Sequence, residues 1–374
     1  MGSNQSVGGR DAAYMRQALQ LGRKGLGRTS PNPPVGAVIV RADRVVGKGW
    51  HRRAGLPHAE VVALEQAGPL AKGADLYVTL EPCNHQGRTP PCTEAIIRAQ
   101  VRRVIIGTRD PNPSVSGGGV ERLREAGIEV VVGLEEERCR SLIEGFATAV
   151  NQSRCHVTMK AAVTLDGHLA TRTGDAFWVS GQQTLRLAHR LRNELDALVL
   201  GAGTLRRDDP QGTCRLSRGR DPMRVVVSRG FDLPPDARYF SARSRSRRAR
   251  VVLAVPETAR GDAGFLEDKN VEIWSLPAEQ GRLSIPELCH RLWREGVNTV
   301  LLEGGAELHG AFWDAKIVDR VVFVVAPKIV GGRDAVPVIG GLGIDRMADA
   351  VRLLDREVRR MGEDLVIQGR PDWH

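Results

Sequence analysis

Residues 57–60 read Pro-His-Ala-Glu, and residues 81–92 read Glu-Pro-Cys-Asn-His-Gln-Gly-Arg-Thr-Pro-Pro-Cys. The first stretch opens a segment whose apolar residues have helical spacing, and the second follows an apolar run, residues 75–80, that is typical of a buried strand. Together they contain one imidazole and two thiols suited to Zn²⁺: His58, Cys83 and Cys92. Three protein ligands leave a fourth position for water, as a catalytic zinc ion requires.

Glu60 follows His58 by two residues, close to the predicted metal but with no need to bind it. A carboxylate there can take a proton from water and pass it to a leaving group. We therefore expect Glu60 to be the catalytic residue of this site. A purely structural zinc site is the alternative, and it needs a fourth protein ligand, for which His85 is a candidate.

This pattern resembles the zinc-deaminase signature, in which His-x-Glu is followed by Pro-Cys-x-x-Cys. The chain departs from that signature because residues 84–91 separate its two cysteines. With this insertion, and with Asn-Pro-Pro-Val-Gly at residues 32–36, the first half resembles the deaminase half of the bifunctional deaminase/reductases of riboflavin biosynthesis. The resemblance implies zinc-dependent hydrolytic deamination of 2,5-diamino-6-(phosphoribosylamino)pyrimidinone. It places four residues around that substrate: Asn32, His51, His85 and Arg88.

Four stretches of the second half resemble the reductase half of the same family: MKAAVTLDG at 159–167, GDAFWVS at 174–180, GAGTLRRDDP at 201–210 and EGGAELHG at 303–310. The resemblance thus spans about residues 11–368, and it implies NADPH-dependent reduction of the ribosyl side chain to ribityl. The NADPH site that it implies consists of Ala162, Trp178, Thr204, Asp208, Gly305, Ala306, Glu307, Leu308, His309, Gly310 and Ala311. The reductase substrate site that it implies consists of Ala176, Arg192, Gly212, Arg215 and Glu303.

The residues themselves support a phosphate site only in part. Residues 301–306 read as a strand, two glycines and a helix start, where free backbone N–H groups can approach a phosphate. Gly201 and Gly203 do not make a Rossmann fingerprint, because Arg206 stands where the third glycine is needed. Ala176 occupies a position where the family often has Ser, and Lys160 is either a surface residue or a substrate contact.

Both halves alternate strands with helices, which predicts α/β architecture. About five strands are expected in the first 150 residues. The resemblance implies a cytidine-deaminase-like three-layer α/β domain followed by a dihydrofolate-reductase-like α/β domain. We therefore predict a zinc-dependent deaminase domain over residues 1–150 and an NADPH-dependent reductase domain over residues 151–374.

The chain has 374 residues, and its 54 Lys and Arg against 44 Asp and Glu give a net charge of +10. Such a charge suits nucleic acid, an anionic membrane or phosphorylated small ligands. Aromatic residues are only 4% of the chain, which is few for stacking on nucleic-acid bases. Six arginines between Arg238 and Arg250 are interpreted as a solvated loop, with a polyanion contact as the alternative.

No apolar run is long enough to span a bilayer, and no signal peptide opens the chain, so we expect a cytoplasmic protein without a membrane partner. We expect a phosphorylated pyrimidine substrate and no nucleic-acid partner, and the resemblance implies a homo-oligomer. Two alternatives stay open. One is a nucleic-acid base deaminase with an unrelated C-terminal domain, and the other is a zinc-stabilised RNA-binding protein without turnover.

Overall fold

The computed structural model describes residues 9–86, 90–113, 118–216, 219–242 and 250–373. Arg88 and residues 243–249 of the arginine-rich stretch lie outside these ranges. The chain forms two compact units, Met1–Ser153 and Arg154–His374, called here the first and the second unit. None of the described helices is long and apolar enough to span a membrane.

The described part of the first unit contains one five-stranded sheet, in the order β2-β1-β3-β4-β5. Its strands are β1 (Gly36–Arg41), β2 (Arg44–Trp50), β3 (Asp75–Leu80), β4 (Arg103–Thr108) and β5 (Glu129–Val132). Its helices are α1 (Gly9–Gly22), α2 (Ala59–Ala67), α3 (Cys92–Arg98), α4 (Gly119–Glu125), α5 (Glu136–Leu142) and α6 (Glu144–Gln152), with 3₁₀ turns at Arg23–Gly25 and Gly68–Ala71. β1 is antiparallel to β2 and β3, whereas β3, β4 and β5 are parallel.

Helices cover both faces of this sheet. A Cβ on Gly36 would collide with the Ala18 carbonyl oxygen of α1, and a Cβ on Gly49 would collide with that of Ala59 in α2. Gly49 pairs across the strands with Ala37, the neighbour of Gly36. Successive residues of a strand point to opposite faces, and cross-strand partners point to the same face. The first unit therefore has three layers, with α1 and α2 on opposite faces.

The described residues of the second unit contain a nine-stranded sheet, in the order β11-β10-β9-β8-β14-β6-β15-β18-β17. Its strands are β6 (His156–Thr164), β8 (Ala197–Gly201), β9 (Met223–Val227), β10 (Val251–Pro256), β11 (Val271–Leu276), β14 (Thr299–Leu302), β15 (Val318–Ala326), β17 (Leu353–Met361) and β18 (Asp364–Pro371). Strands from β11 to β15 in that order are parallel, and the last two are antiparallel.

Shorter elements complete the described second unit. Two-residue or three-residue strands form small ribbons: β7 (His168–Ala170) with β16 (Val336–Pro337), and β12 (Ala278–Glu279) with β13 (Arg282–Leu283). The helices are α7 (Gln182–Glu194), α8 (Ala202–Asp208), α9 (Arg238–Ser241), α10 (Ile285–Arg294) and α11 (Ala306–Asp314), with 3₁₀ turns at Gly264–Lys269 and Met347–Asp349. The β strands before α8 and α11 end at the same edge of the parallel sheet, which brings the loops of both helices together.

The described part of the first unit has the five strands that the sequence predicts. It ends in two helices, α5 and α6, which are separated at Ile143. β17 is an edge strand of the second unit, and its largely exposed and charged residues show no apolar alternation. The arginine-rich stretch begins in the short helix α9 and is ion-paired at both described ends, Arg238 with Asp209 and Arg250 with Glu272.

A polar cluster ties α1 to the amino ends of β3 and β4. Asp75 accepts hydrogen bonds from both Arg102 and Arg103, at 2.9 and 3.0 Å. Asp11 of α1 accepts from Arg103 at 3.1 Å and from the hydroxyl of Tyr77. Burial raises the pKa of Tyr77 further above its usual range, so its hydroxyl remains a donor. The cluster thus joins three elements through Arg103, which bridges the largely buried carboxylates of Asp11 and Asp75.

Asp75→Asn should lower the free energy of unfolding by about 2 kcal/mol, because two guanidinium groups lose their charged acceptor in a largely buried place. Asp43→Asn is the matched control. Its partner Arg10 is exposed, and the change should cost no more than about 0.5 kcal/mol. Chemical denaturation of both variants measures the difference, and equal losses would contradict a special role for Asp75.

Candidate active sites

Three potential metal ligands meet at the carboxyl end of β3. His58 caps the amino end of α2 in an extended conformation, and its Nδ1 lies 3.2 Å from Cys92 Sγ and 3.5 Å from Cys83 Sγ. Cys83 is in the loop after β3, and Cys92 is the first residue of α3. The three ligand atoms lie within 4.8 Å of one another. In a tetrahedral zinc site, N and S ligand atoms lie about 3.5 Å apart, so this arrangement fits zinc.

The chemistry of the donors fits the metal as well. A hydrogen bond from Cys92 lowers the pKa of the Cys83 thiol to about 4. Burial opposes this change, and a hydrogen bond with His58 adds to it. The thiolate is the form that binds metals. His85 is exposed and does not belong to the ligand group among the described residues. The site therefore has the three-ligand form expected of a catalytic zinc site rather than a closed four-ligand form.

Glu60 lies beside these ligands in the first turn of α2. Its side chain is buried, and its Oε2 has no hydrogen-bond partner among the described residues. Burial raises the pKa of Glu60 to about 7, while the His58 charge opposes the rise. Buried polar atoms are normally hydrogen-bonded, so this oxygen needs a partner that the described chain does not supply.

Of the four residues expected around the deaminase substrate, two form a hydrogen-bonded pair beside the metal ligands. The Asn32 side chain lies 3.1 Å from His51 Nε2, and the Pro57 carbonyl oxygen lies 3.2 Å from His51 Nδ1. The His51 ring packs edge-on against the His58 ring, with centroids 5.0 Å apart. His85 is exposed in the loop between the cysteines, and Arg88 lies outside the described residues.

Two acidic residues near this site were missed by the sequence analysis. Glu81 is buried and accepts hydrogen bonds from the backbone N–H groups of Asp110 and Val120, which fixes two loops next to Cys83. Burial raises the pKa of Asp110, helped by the neighbouring carboxylate of Glu81. The sequence could have indicated both residues. Glu81 directly follows β3, and Asp110 lies two residues after β4, a parallel neighbour of β3. Ligands of α/β folds bind at the carboxyl ends of such strands.

The second unit has a cavity of about 290 Å³ at the carboxyl ends of β6, β8 and β14. Six of the expected reductase residues line it: Ala162, Ala176, Trp178, Thr204, Asp208 and Gly305. A Cβ on Gly305 would point towards Thr204 Oγ1, at 3.8 Å, so the backbone here leaves room for a ligand. α11 begins directly after Gly305 with backbone N–H groups free to meet a phosphate. These features fit a nicotinamide nucleotide.

The other expected cofactor residues are not among those that line this cavity. They belong to α11 and comprise Ala306, Glu307, Leu308, His309, Gly310 and Ala311. Gly310 packs against the backbone of Gly340, and Leu308 packs against Gly304. His309 is fully buried; the Gly304 N–H donates to its Nε2 at 3.1 Å, and its Nδ1 lies 2.8 Å from the Val338 carbonyl oxygen. The His309 ring therefore holds the glycine turn in place.

A charged cluster includes three of the residues expected to bind the reductase substrate. Arg192 donates to Glu303 at 2.6 and 3.0 Å, and Lys160 Nζ lies 4.0 Å from Glu303. Burial favours a raised pKa for Glu303, but Arg192 and Lys160 outweigh it and hold the pKa below its usual value. Lys160 is largely buried, so its interpretation as a surface residue is wrong. Arg215 is exposed and close enough to Arg192 for the two charges to interact.

His189 was missed by the sequence analysis, and Gly212 has a packing role. Burial lowers the pKa of His189 to about 4, helped by the charges of Arg192 and Arg215. His189 Nδ1 accepts the Arg215 backbone N–H at 3.0 Å. Gly212 has φ +63°, and a Cβ there would collide with the Tyr239 ring. Glycine is therefore required at residue 212 whether or not it contacts substrate.

Comparisons with known proteins give matches for both halves of the chain. Residues 9–108 match the family described as the cytidine and deoxycytidylate deaminase zinc-binding region, and residues 155–367 match the RibD C-terminal domain. Riboflavin biosynthesis protein RibD of Aquifex aeolicus is 41% identical over 358 residues, which are 96% of this chain and 97% of that protein. This chain belongs to the RibD family.

Solved structures of RibD proteins have the same fold over nearly the whole chain. The diaminohydroxyphosphoribosylaminopyrimidine deaminase/5-amino-6-(5-phosphoribosylamino)uracil reductase of Thermotoga maritima is 37% identical, with a TM-score of 0.83 over 97% of this chain and 99% of that one. Acinetobacter baumannii RibD is 34% identical, with the same TM-score and coverage. The predicted family, the fold class and the combination of a zinc-binding deaminase domain with a reductase domain are confirmed.

Cys92→Ala should reduce bound zinc from about one ion per chain to a small fraction, because only two ligands remain. Cys139→Ala is the matched control, since Cys139 is another buried cysteine of the first unit that is not part of the ligand group. Metal analysis of the purified variants measures both. Full zinc content in Cys92→Ala would show that the ligand set is wrong.

The stability of the chain should depend on pH through His309. Burial lowers the pKa of His309 to about 4, opposed by the Val338 hydrogen bond, whereas an unfolded histidine titrates near 6.5. The neutral ring thus stabilises the fold fully above pH 6.5, and this contribution is lost as the pH falls towards 4. The stability advantage of the natural chain over His309→Gln should shrink by about 3 kcal/mol between pH 7 and pH 4 in urea unfolding. A pH-independent advantage would contradict a neutral buried imidazole.

Proposed function

We propose that this chain catalyses two successive steps of riboflavin biosynthesis. The first unit deaminates 2,5-diamino-6-(phosphoribosylamino)pyrimidinone, and the second reduces the ribosyl side chain of the product to ribityl. The observation that carries the proposal is the buried Glu60 Oε2, unpartnered among the described residues, beside a three-ligand group of His58, Cys83 and Cys92. The Thermotoga maritima relative, which bears both activities in its name, supports the same pair of reactions.

In the deaminase site, His58, Cys83 and Cys92 would hold the zinc ion. A zinc ion held by these residues would polarise water and bring its pKa close to neutrality. Glu60 takes a proton from water on the substrate side and delivers it to the amino group that leaves as ammonia. The hydrogen-bonded pair of Asn32 and His51 is positioned to orient the pyrimidine, and His85 and Arg88 are the remaining candidates for substrate contacts.

In the reductase site, the residues proposed to hold the cofactor are Ala162, Trp178, Thr204, Asp208 and Gly305, which line the cavity. The others proposed belong to α11, which begins directly after Gly305: Ala306, Glu307, Leu308, His309, Gly310 and Ala311. NADPH bound there would supply the hydride that reduces the ribosyl side chain. Arg192 and Arg215 provide guanidinium groups for the ribose phosphate, and Glu303 can accept ribose hydroxyl hydrogen bonds. Ala176 and Gly212 are the remaining residues of the proposed substrate site, where their small size leaves room for the substrate.

We further propose that the protein works in the cytoplasm as a homo-oligomer on small phosphorylated molecules. The absence of a membrane-spanning helix from the described residues fits this proposal. A nucleic-acid base deaminase is not favoured, because it gives no account of residues 155–367, which match a reductase domain of the RibD family. The two phosphorylated ligands offer a sufficient reason for the net charge of +10.

Glu60→Gln should retain zinc and lose deamination by about 10²- to 10⁴-fold, because the amide can no longer carry a proton between water and the leaving amine. Reduction of supplied deaminated intermediate should continue. Ammonia release and NADPH oxidation, followed separately with metal analysis, measure these effects.

Glu65→Gln is the matched control, because Glu65 is an exposed residue of the same helix. It should keep both activities. Loss of zinc from Glu60→Gln would assign this carboxylate to the metal site, and absence of both activities in zinc-loaded natural protein would refute the proposed function.

A further inference from the structure

The short helix α8 carries two successive arginines with different surroundings. Arg206 donates to the backbone carbonyl oxygen of Asp232 and lies 3.4 Å from its carboxylate, so it is held outside the cavity. Arg207 lines the 290 Å³ cavity of the second unit. Within the described ranges, no hydrogen bond or ion pair is found for its guanidinium group. Arg207 is exposed, so its guanidinium group is accessible to a ligand of this cavity.

The Arg207 guanidinium lies at the mouth of this cavity. Thr204 lies three residues before Arg207 and four residues before Asp208 on α8, so each of these two side chains neighbours Thr204 on the helix surface. A Cβ on Gly174 would lie 3.5 Å from Arg207 Cζ, which places the guanidinium against the turn that precedes Ala176. The side chain of Arg207 therefore extends from α8 to the loop that leads to Trp178.

The other residues that line the cavity make this cation distinctive. Among the described lining residues, Arg207 and Asp208 are the charged ones, and the rest are apolar, small or hydroxyl-bearing. The charge of Asp208 interacts with that of Arg207, but no hydrogen bond or ion pair joins these two side chains within the described ranges, so the N–H donors of Arg207 remain available to a ligand. A guanidinium fork beside an apolar surface suits a phosphate, which it can bind through two parallel hydrogen bonds.

We propose that Arg207 binds a phosphate group of a reductase ligand at the mouth of this cavity. The inference rests on the proposed function, since both ligands of that reaction carry phosphates. The source is either the nicotinamide nucleotide, through its 2′-phosphate or its diphosphate, or the ribose phosphate of the substrate. In every case the chemistry is the same: a bidentate contact from a planar guanidinium to phosphate oxygens.

Equilibrium binding tests this inference without relying on turnover. Calorimetric titrations with NADP⁺, NAD⁺ and ribose 5-phosphate should be made on the full chain and on Arg207→Ala, Arg207→Lys and Arg206→Ala. Arg207→Ala should raise the Kd of at least one ligand by about tenfold or more, and Arg207→Lys should give an intermediate value because lysine keeps the charge but not the fork. Arg206→Ala removes the same charge from the same helix and should leave each Kd within about twofold.

The pattern of losses identifies the phosphate. A weakened NADP⁺ complex with unchanged NAD⁺ binding assigns the 2′-phosphate, equal weakening of both nucleotides assigns the diphosphate, and weakened ribose 5-phosphate alone assigns the substrate phosphate. Unchanged binding of all three ligands in Arg207→Ala, equal effects of Arg206→Ala, or no binding to the natural chain would overturn the inference. A natural chain that binds the ligands as expected but oxidises no NADPH with the deaminated intermediate would instead refute the proposed function alone.

Discussion

The contact between β2 and α2 is so close that only a glycine can occupy residue 49. A side chain there would collide with the Ala59 carbonyl oxygen, one residue after the metal ligand His58. Because the first turn of α2 is pressed directly onto the sheet, His58 is held at the helix start and Glu60 is turned into the interior. The loop after β3 then needs only to bring Cys83 and Cys92 to the same point. The deaminase site thus depends on a backbone contact that contributes no ligand.

The two proposed sites treat buried carboxylates in opposite ways. Burial raises the pKa of Glu60 to about 7, and the neighbouring charges only partly oppose it. Glu303 is also largely buried, yet Arg192 and Lys160 keep its pKa below the usual value. A carboxylate that exchanges protons suits hydrolysis, whereas a permanently charged one suits the binding of ribose hydroxyl groups.

Sequence reasoning succeeded where residue type alone limits the chemistry. One histidine and two cysteines near a glutamate predicted the metal ligands without any knowledge of the fold. The alternation of strands and helices predicted α/β architecture in both halves, whereas the charged edge strand β17 has no apolar alternation to recognise. The reductase positions came from the family resemblance, since Arg192 and Glu303 are 111 residues apart and no spacing rule joins them. Glu81 was missed although its place directly after β3 offered a signal, and His309 came only from the family resemblance. Their hydrogen-bond partners are backbone groups that only the folded chain brings near.

The strand order of the second unit also bears on how the protein is made. β6 is the first strand of that unit to be synthesised, but its two neighbours in the sheet are β14 and β15. Val157 can therefore pair with Val300 and Val318 only after more than 140 further residues have been added. Pairings between such distant segments form slowly and leave apolar strands uncovered in the meantime. The first unit, by contrast, contains all partners of its sheet before residue 153. The nascent chain can therefore complete its deaminase half while the central strands of its reductase half are still waiting for synthesis to end.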